Sequence, residues 1–238
     1  MLPIWRHRLL VVRQDVWREV CDATLLELDD DRARSVVQNW AMHGWPLICR
    51  RPCERERMEI EAGGVAVGLP LPPYMGKQRL SFILPPSGLE SFSGPVWLGD
   101  DISFPGQTSA RLHDIGQLTA LGARHDLAPE AAGSFLWEAV TGMPYLSETS
   151  DFDVIWRLPS ASMWDVDALS AFLDDLVRTA RKLSIRMDGE IVFPGDRAVQ
   201  WQELCSAQPD DEVLVKTIGS VSLVPVRNLT KARGKVTA

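Results

Sequence analysis

Two aspartates separated by one apolar residue stand in the run Ser150-Asp151-Phe152-Asp153-Val154-Ile155. Side chains two apart on a strand share a face, so Asp151 and Asp153 can present both carboxylates to the same ions. Hard cations such as Mg2+ take oxygen ligands and share them with phosphates. In a two-metal site one ion activates an attacking oxygen and the other neutralises the leaving phosphates. About 35 residues on, Arg186-Met187-Asp188-Gly189-Glu190-Ile191 offers a third carboxylate. Asp188 is the first choice and Glu190, on the same face, the second. Ahead of both runs lies Gly133-Ser134, where Gly133 allows a backbone to approach phosphate and Ser134 offers a hydroxyl and an N–H at a helix start. Asp151, Asp153 and Asp188 are therefore the expected metal ligands, with Glu190 as a further catalytic candidate. Each fragment has a plainer reading. An Asp-x-Asp commonly caps or edges a solvated strand, Asp-Gly makes hairpin turns, and a lone Gly-Ser carries no information. The ordered combination is what points to phosphate chemistry.

Other cations are weighed for the substrate's phosphates. Lys77 and Arg79 are expected on one face of a strand after the Pro72-Pro73-Tyr74-Met75-Gly76 turn, reaching a triphosphate across a cleft; the alternative is charge protecting a sheet edge. Lys216, in Val213-Leu214-Val215-Lys216-Thr217, could bind phosphate or extend its ammonium to solvent. Arg50, Arg51, Arg55 and Arg57 form a basic cluster that suits an acidic partner, although Glu54 and Glu56 interleave with it. Arg157 is expected to be structural and Trp137 to pack in the core.

These residues need elements to hold them. Alternation makes Phe152–Leu158 a strand. Ser162–Leu183 has an apolar stripe of Val166, Leu169, Leu173, Leu176, Val177 and Ala180 and a capping-box-like start at Ser162 and Asp165, so it is a helix. Ser184–Phe193 is the following strand, with a partner through Trp201 after the Pro194-Gly195-Asp196 turn. Val213–Thr217 and Val221–Val224 form a hairpin. Ser109–Leu121 is helical with Gly122 as its C-terminal cap, and Pro129–Val140 is a shorter helix. The first hundred residues read as strands and turns (Leu9–Val12, Pro46–Cys49, Met58–Ile60, Lys77–Leu84) with one short helix at Asp31–Trp40. Gly and Pro make 63–73 extended. The expected architecture is α+β. A small, mainly β N-terminal domain spans 1–105, and a C-terminal domain at 106–238 carries a mixed sheet.

The 238 residues carry a net charge of −7 and are 45% hydrophobic. An acidic chain lacks the basic footprint of nucleic-acid binding. No run approaches a membrane span, and no signal-peptide pattern leads the chain. Four cysteines (Cys21, Cys49, Cys53, Cys205) without zinc-ligand spacing read as reduced thiols. A cytoplasmic protein that binds neither nucleic acid nor membrane is expected.

The ordered Gly-Ser, Asp-x-Asp and later carboxylate resemble the nucleotidyltransferase superfamily pattern. Longer runs resemble one family: Gly133–Leu146, Ser150–Arg157, Asp188–Pro194, Ala198–Leu204, Val213–Thr217 and Gly68–Leu80 look like the malonate decarboxylase holo-acyl-carrier-protein synthases, also called phosphoribosyl-dephospho-CoA transferases. The likeness runs from about residue 5 to 224. It implies transfer of phosphoribosyl-dephospho-CoA from 2'-(5''-triphosphoribosyl)-3'-dephospho-CoA to a serine of the malonate decarboxylase acyl-carrier protein, with pyrophosphate released. It also implies a nucleotidyltransferase-like C-terminal fold, with Asp151 and Asp153 as metal carboxylates. The alternatives are a nucleotidyltransferase of this fold using another nucleotide and acceptor, and a non-catalytic module of the fold.

Overall fold

The structure, a computed structural model, describes residues 4–94, 96, 98, 106–159 and 166–230. It is α+β, and the described residues fall into two compact units. One comprises the chain up to Gly94 together with Val140–Tyr145; the other contains the rest.

In the first unit, strands β1 (Leu9–Val12), β2 (Leu47–Cys49), β3 (Val65–Pro70), β4 (Arg79–Leu84) and β5 (Leu89–Ser91) form an antiparallel sheet in the order β4-β3-β2-β1-β5. Helices α1 (Gln14–Leu26), α2 (Asp31–Asn39) and α3 (Arg57–Glu61) accompany it. The sequence reading allowed one helix here, and α1 corrects it. Trp17, Val20, Cys21 and Thr24 have helical spacing, and Trp17 and Cys21 are buried. Trp17 packs against Phe82 of β4 with ring centroids 4.8 Å apart, and its Nε1 donates to Val37 O at 2.8 Å.

Met58–Ile60, expected as a strand, lies in α3. Three residues are too few to reveal a period, and local caps decide the outcome. Cys53 N donates to Glu56 Oε2 at 2.8 Å, and Arg57 pairs with Glu61 at 2.8 Å, one turn on. Arg50 grips Glu56 through both terminal guanidinium nitrogens, with the Nη1 bond at 2.8 Å. Two of the four basic-cluster arginines, Arg50 and Arg57, are thus neutralised by neighbouring glutamates. Tyr145, buried, donates its hydroxyl to Pro70 O at 2.8 Å and ties Val140–Tyr145 to β3.

The second unit is built on six strands, β6 (Pro129–Ala131), β7 (Phe152–Arg157), β8 (Met187–Phe193), β9 (Arg197–Gln200), β10 (Glu212–Lys216) and β11 (Val221–Pro225), in the order β11-β10-β9-β8-β7-β6. Among the described residues only β7 and β8 run parallel, which makes the sheet mixed. Parallel neighbours need a crossover, and α6 (Val166–Ala180) lies between them in sequence. Its buried side chains are Leu169, Phe172, Leu176 and Thr179, so the stripe is turned from the expected one and leaves Val166 exposed. Phe172 meets Trp156 of β7 edge-on at 5.2 Å. The Ser162–Asp165 start lies outside the described residues.

Helix α4 (Ser109–Arg124) is capped by Thr108, whose hydroxyl accepts from Arg111 N at 3.2 Å. It runs through Gly122 instead of ending there, and the returning backbone at Leu127 lies against that glycine. The expected helix at Pro129–Val140 divides into β6 and α5 (Gly133–Thr141), because Pro129–Ala131 pairs with β7. Helix α7 (Trp201–Ser206) completes the unit. None of the four cysteines forms a disulfide. Among the described residues no helix is long and apolar enough to cross a membrane.

Asp114 of α4 is buried and accepts from Ser184 N at 3.1 Å, Ser184 Oγ at 2.7 Å and Ile185 N at 3.2 Å, anchoring the approach to β8. Asp114→Ala leaves these donors unmet and should lower stability by about 2–4 kcal/mol, read as a lower urea midpoint; an unchanged midpoint would show that solvent replaces the carboxylate. Arg50 holds Glu56 down from 4.5 to about 2. A depressed carboxyl stabilises the fold above its unfolded pKa and loses that contribution as pH falls through the folded one. Glu56→Gln should therefore narrow its stability gap from the parent protein between pH 4.5 and about 2. A constant gap in pH-dependent unfolding would contradict this.

Candidate active site

The parallel pairing of β7 and β8 sets the site. Its register puts Asp153 opposite Asp188 and Ile155 opposite Glu190. Apolar neighbours fix the direction of these side chains, since Phe152, Val154, Met187 and Ile191 are buried while Asp153 and Asp188 are partly open. Asp151 lies just ahead of β7, immediately before the first residue of the strand.

The chain segment before α5 meets this edge. Ala132 N donates to Asp153 O at 3.0 Å, and α5 begins at the next residue. Gly133 has φ +55°, and a Cβ there would overlap the Asp153 carboxylate. The Gly-Ser turn and the second aspartate of the Asp-x-Asp are thus in direct apposition. The positive end of the α5 dipole also favours an anion beside it. Gly189, between the two later carboxylates, has φ +134°, and a Cβ would overlap the Val154 carbonyl. Glycine at both positions lets the backbones close around the carboxylates.

Each carboxylate has a different partner. Asp151 is gripped by Arg186, with Nε donating to Oδ1 at 2.8 Å and Nη2 to Oδ2. The guanidinium holds the Asp151 carboxyl below the usual range, through this bond first and its charge second. Arg186 is raised in turn, chiefly by Asp151 and further by the charges of Asp188 and Asp153. Asp188 Oδ1 accepts from Gly189 N at 2.8 Å and Gln200 Nε2 at 3.3 Å. Glu190, 9% exposed, accepts from Lys216 Nζ at 3.1 Å. Lys216 is therefore placed at the sheet, across β9 from β8, and neutralises Glu190.

The chain entering Asp151 is itself held. Glu138 of α5, wholly buried, accepts from Gly106 N through one oxygen and from Leu146 N, at 2.8 Å, through the other. Arg111 donates to Gly106 O at 2.5 Å and Ser147 O at 2.9 Å. Arg157 meets Glu130 at 3.0 Å and Asp196 at 3.5 Å, in the structural role expected of it, and Trp137 is buried.

The structure thus groups Gly133, Asp153 and Asp188 by register and contact, adds Asp151 through Arg186, and couples Glu190 to Lys216. Lys77 and Arg79 belong to the first unit. Arg79 opens β4 opposite Pro70, whereas Lys77 sits in the preceding turn with φ +55°, so the two do not share a strand face. Arg186 and Gln200 had no expected role. Arg186 was legible as a cation two residues before Asp188, while Gln200 depends on the β8–β9 pairing.

The donor set of Asp151, Asp153 and Asp188 is entirely oxygen, the chemistry a hard divalent ion requires. Arg186 shows that this edge already draws a cation. As they stand, no three His, Cys, Asp or Glu side chains among the described residues are gathered around one metal position. Asp151 turns to Arg186 and Asp188 to Gly189 N and Gln200. Gly133→Ala should cost about 1–3 kcal/mol through left-handed strain and crowding of Asp153, while Ser134→Ala should stay within about 0.5 kcal/mol. Equal urea midpoints for the two variants would refute the close approach.

Comparison with known proteins follows the two-part sequence. Residues 5–95 match the phosphoribosyl-dephospho-CoA transferase MdcG N-terminal domain, and residues 101–227 match the C-terminal domain of the same family. A phosphoribosyl-dephospho-CoA transferase of Bradyrhizobium diazoefficiens is 31% identical over 229 residues, covering 93% of this chain and 90% of the relative. One from Xanthomonas axonopodis pv. citri is 31% identical, covering 96% and 97%. A third, from Xanthomonas campestris pv. campestris, is 33% identical over 195 residues, covering 81% and 84%. No solved structure matches. With both family domains matched in order and relatives aligned along nearly the whole chain, this protein belongs to the phosphoribosyl-dephospho-CoA transferase family.

Proposed function

We propose that this protein transfers the phosphoribosyl-dephospho-CoA group from 2'-(5''-triphosphoribosyl)-3'-dephospho-CoA to a serine of the malonate decarboxylase acyl-carrier-protein subunit, releasing pyrophosphate. The observation that carries this reading is the register of Asp153 against Asp188 on paired parallel strands, with Gly133 against the first of them. In a chain of this family, that is a carboxylate site suited to phosphate transfer.

In the proposed reaction the serine Oγ forms a bond to the α-phosphorus of the donor. The bond from that phosphorus to the bridging oxygen breaks, and its electron pair leaves with pyrophosphate. The serine proton passes to a carboxylate oxygen of the site or to water. Asp151, Asp153 and Asp188 would hold Mg2+, with a two-metal arrangement expected. The metal would polarise the phosphate and neutralise charge on the leaving group. The N-terminal end of α5, at Gly133 and Ser134, offers backbone N–H groups to a phosphate oxygen.

Glu190, already matched by Lys216, suits a supporting role better than that of third ligand. The same pairing draws Lys216 away from the triphosphate. Lys77 and Arg79 keep that assignment on their charge and exposure alone. Cysteines without disulfides accord with work in the cytoplasm, where thiols stay reduced.

The test is the intact mass of the carrier protein after incubation with this protein, the triphosphoribosyl donor and Mg2+. A gain equal to the phosphoribosyl-dephospho-CoA group is expected, reduced at least a hundredfold in rate by Asp151→Asn or Asp153→Asn. No gain from folded protein with an intact donor would reject the assigned donor and acceptor. A gain undiminished in both variants would reject the carboxylate site.

A further inference from the structure

Arg186 immediately precedes β8 and spans from that strand to Asp151, ahead of β7. The two side chains meet in a paired fork, Nε to Oδ1 at 2.8 Å and Nη2 to Oδ2. That fork uses both oxygens of the carboxylate which the metal reading needs. Arg186 is 76% exposed and Asp151 31%, so the pair is open to solvent and the arginine has little packing to lose on moving. Asp153 and Asp188 stand in register nearby, and their charges also attract the guanidinium. Lys216, by contrast, is committed to Glu190 deeper in the sheet.

We propose that Arg186 is an exchangeable counter-cation, gripping Asp151 in the metal-free protein and yielding it to the divalent ion, which frees its guanidinium for the donor's phosphates. This rests on the reading of Asp151, Asp153 and Asp188 as metal ligands. An exposed ion pair is weak enough to be displaced by a divalent cation. A guanidinium fork fits phosphate oxygens as well as it fits a carboxylate. The exchange keeps positive charge on the site at every stage. It also adds a cation to the triphosphate when the donor, with its own negative charge, arrives.

The test titrates Mn2+ into metal-free protein, without donor or acceptor, following loss of the free-ion signal by electron paramagnetic resonance. Wild type, Arg186→Gln and Arg186→Lys are compared, and the donor's KM and kcat are measured for each with Mg2+. Arg186→Gln should bind Mn2+ about two- to fivefold more tightly, because Asp151 no longer has a competitor. Its donor KM should rise about tenfold or more, with a smaller change in kcat. Arg186→Lys should restore most of the competition with metal but little of the donor affinity, since an ammonium lacks the fork. An unchanged urea midpoint in Arg186→Gln shows that tighter metal binding comes from the folded site. Mn2+ affinity that is unchanged or weakened in Arg186→Gln, with wild type binding normally, overturns the exchange and leaves the metal reading standing. Tighter Mn2+ binding with an unchanged donor KM overturns the release to phosphate. Failure of wild type and variant alike to bind Mn2+ overturns both this inference and the metal reading.

Discussion

Asp153 and Asp188 face each other across paired parallel strands, with Asp151 two residues ahead of the first. Carboxylates so grouped repel one another, and partial burial sharpens the repulsion. The surrounding structure supplies compensating charge and hydrogen-bond donors. Arg186 takes Asp151, the Gly189 amide and Gln200 take Asp188, and the start of α5 adjoins Asp153. Glu190, on the same strand as Asp188, has its own cation in Lys216. The second sheet is thus arranged as much around negative charge as around its apolar core.

That charge pattern depends on backbone placement. Gly133 and Gly189 remove the Cβ atoms that would hold α5 and β7 away from the carboxylates. Glu138 and Arg111 fix the chain on either side of the descent to Asp151 by bonding backbone groups at Gly106, Leu146 and Ser147. A buried carboxylate that bonds backbone amides from two segments acts as a splint. Here it joins segments distant in sequence at the point where the chain turns towards β7.

Much of this was legible in the sequence because it is periodic or local. The alternation of Phe152–Arg157, the apolar stripe behind α6 and the Gly-Ser before a helix are each written in a few consecutive residues, and the structure carries all three as elements. Helix α1 had its signal in Trp17, Val20, Cys21 and Thr24, although the surrounding charges obscured it. The helix α3 was hidden in a three-residue run whose caps lay outside it. The pairing of Glu190 with Lys216 and of Asp188 with Gln200 could not be read, because each depends on which strands lie side by side. Register is a tertiary fact, and it decides which of two same-face carboxylates is already neutralised.

The crossover between β7 and β8 has a consequence in time as well as space. Strands that pair in parallel cannot meet through a tight turn, so Asp153 and Asp188 come together only once the intervening chain, with α6, has closed over the sheet. Contacts that wait on long loop closure form slowly compared with hairpins such as β10–β11. A chain still emerging from the ribosome therefore carries Asp151 and Asp153 for some time without their counterpart. Crowding of Asp153 against Asp188 arises as the two strands dock. The facing of the two carboxylates is thus left to a late, long-range contact and not to a local turn.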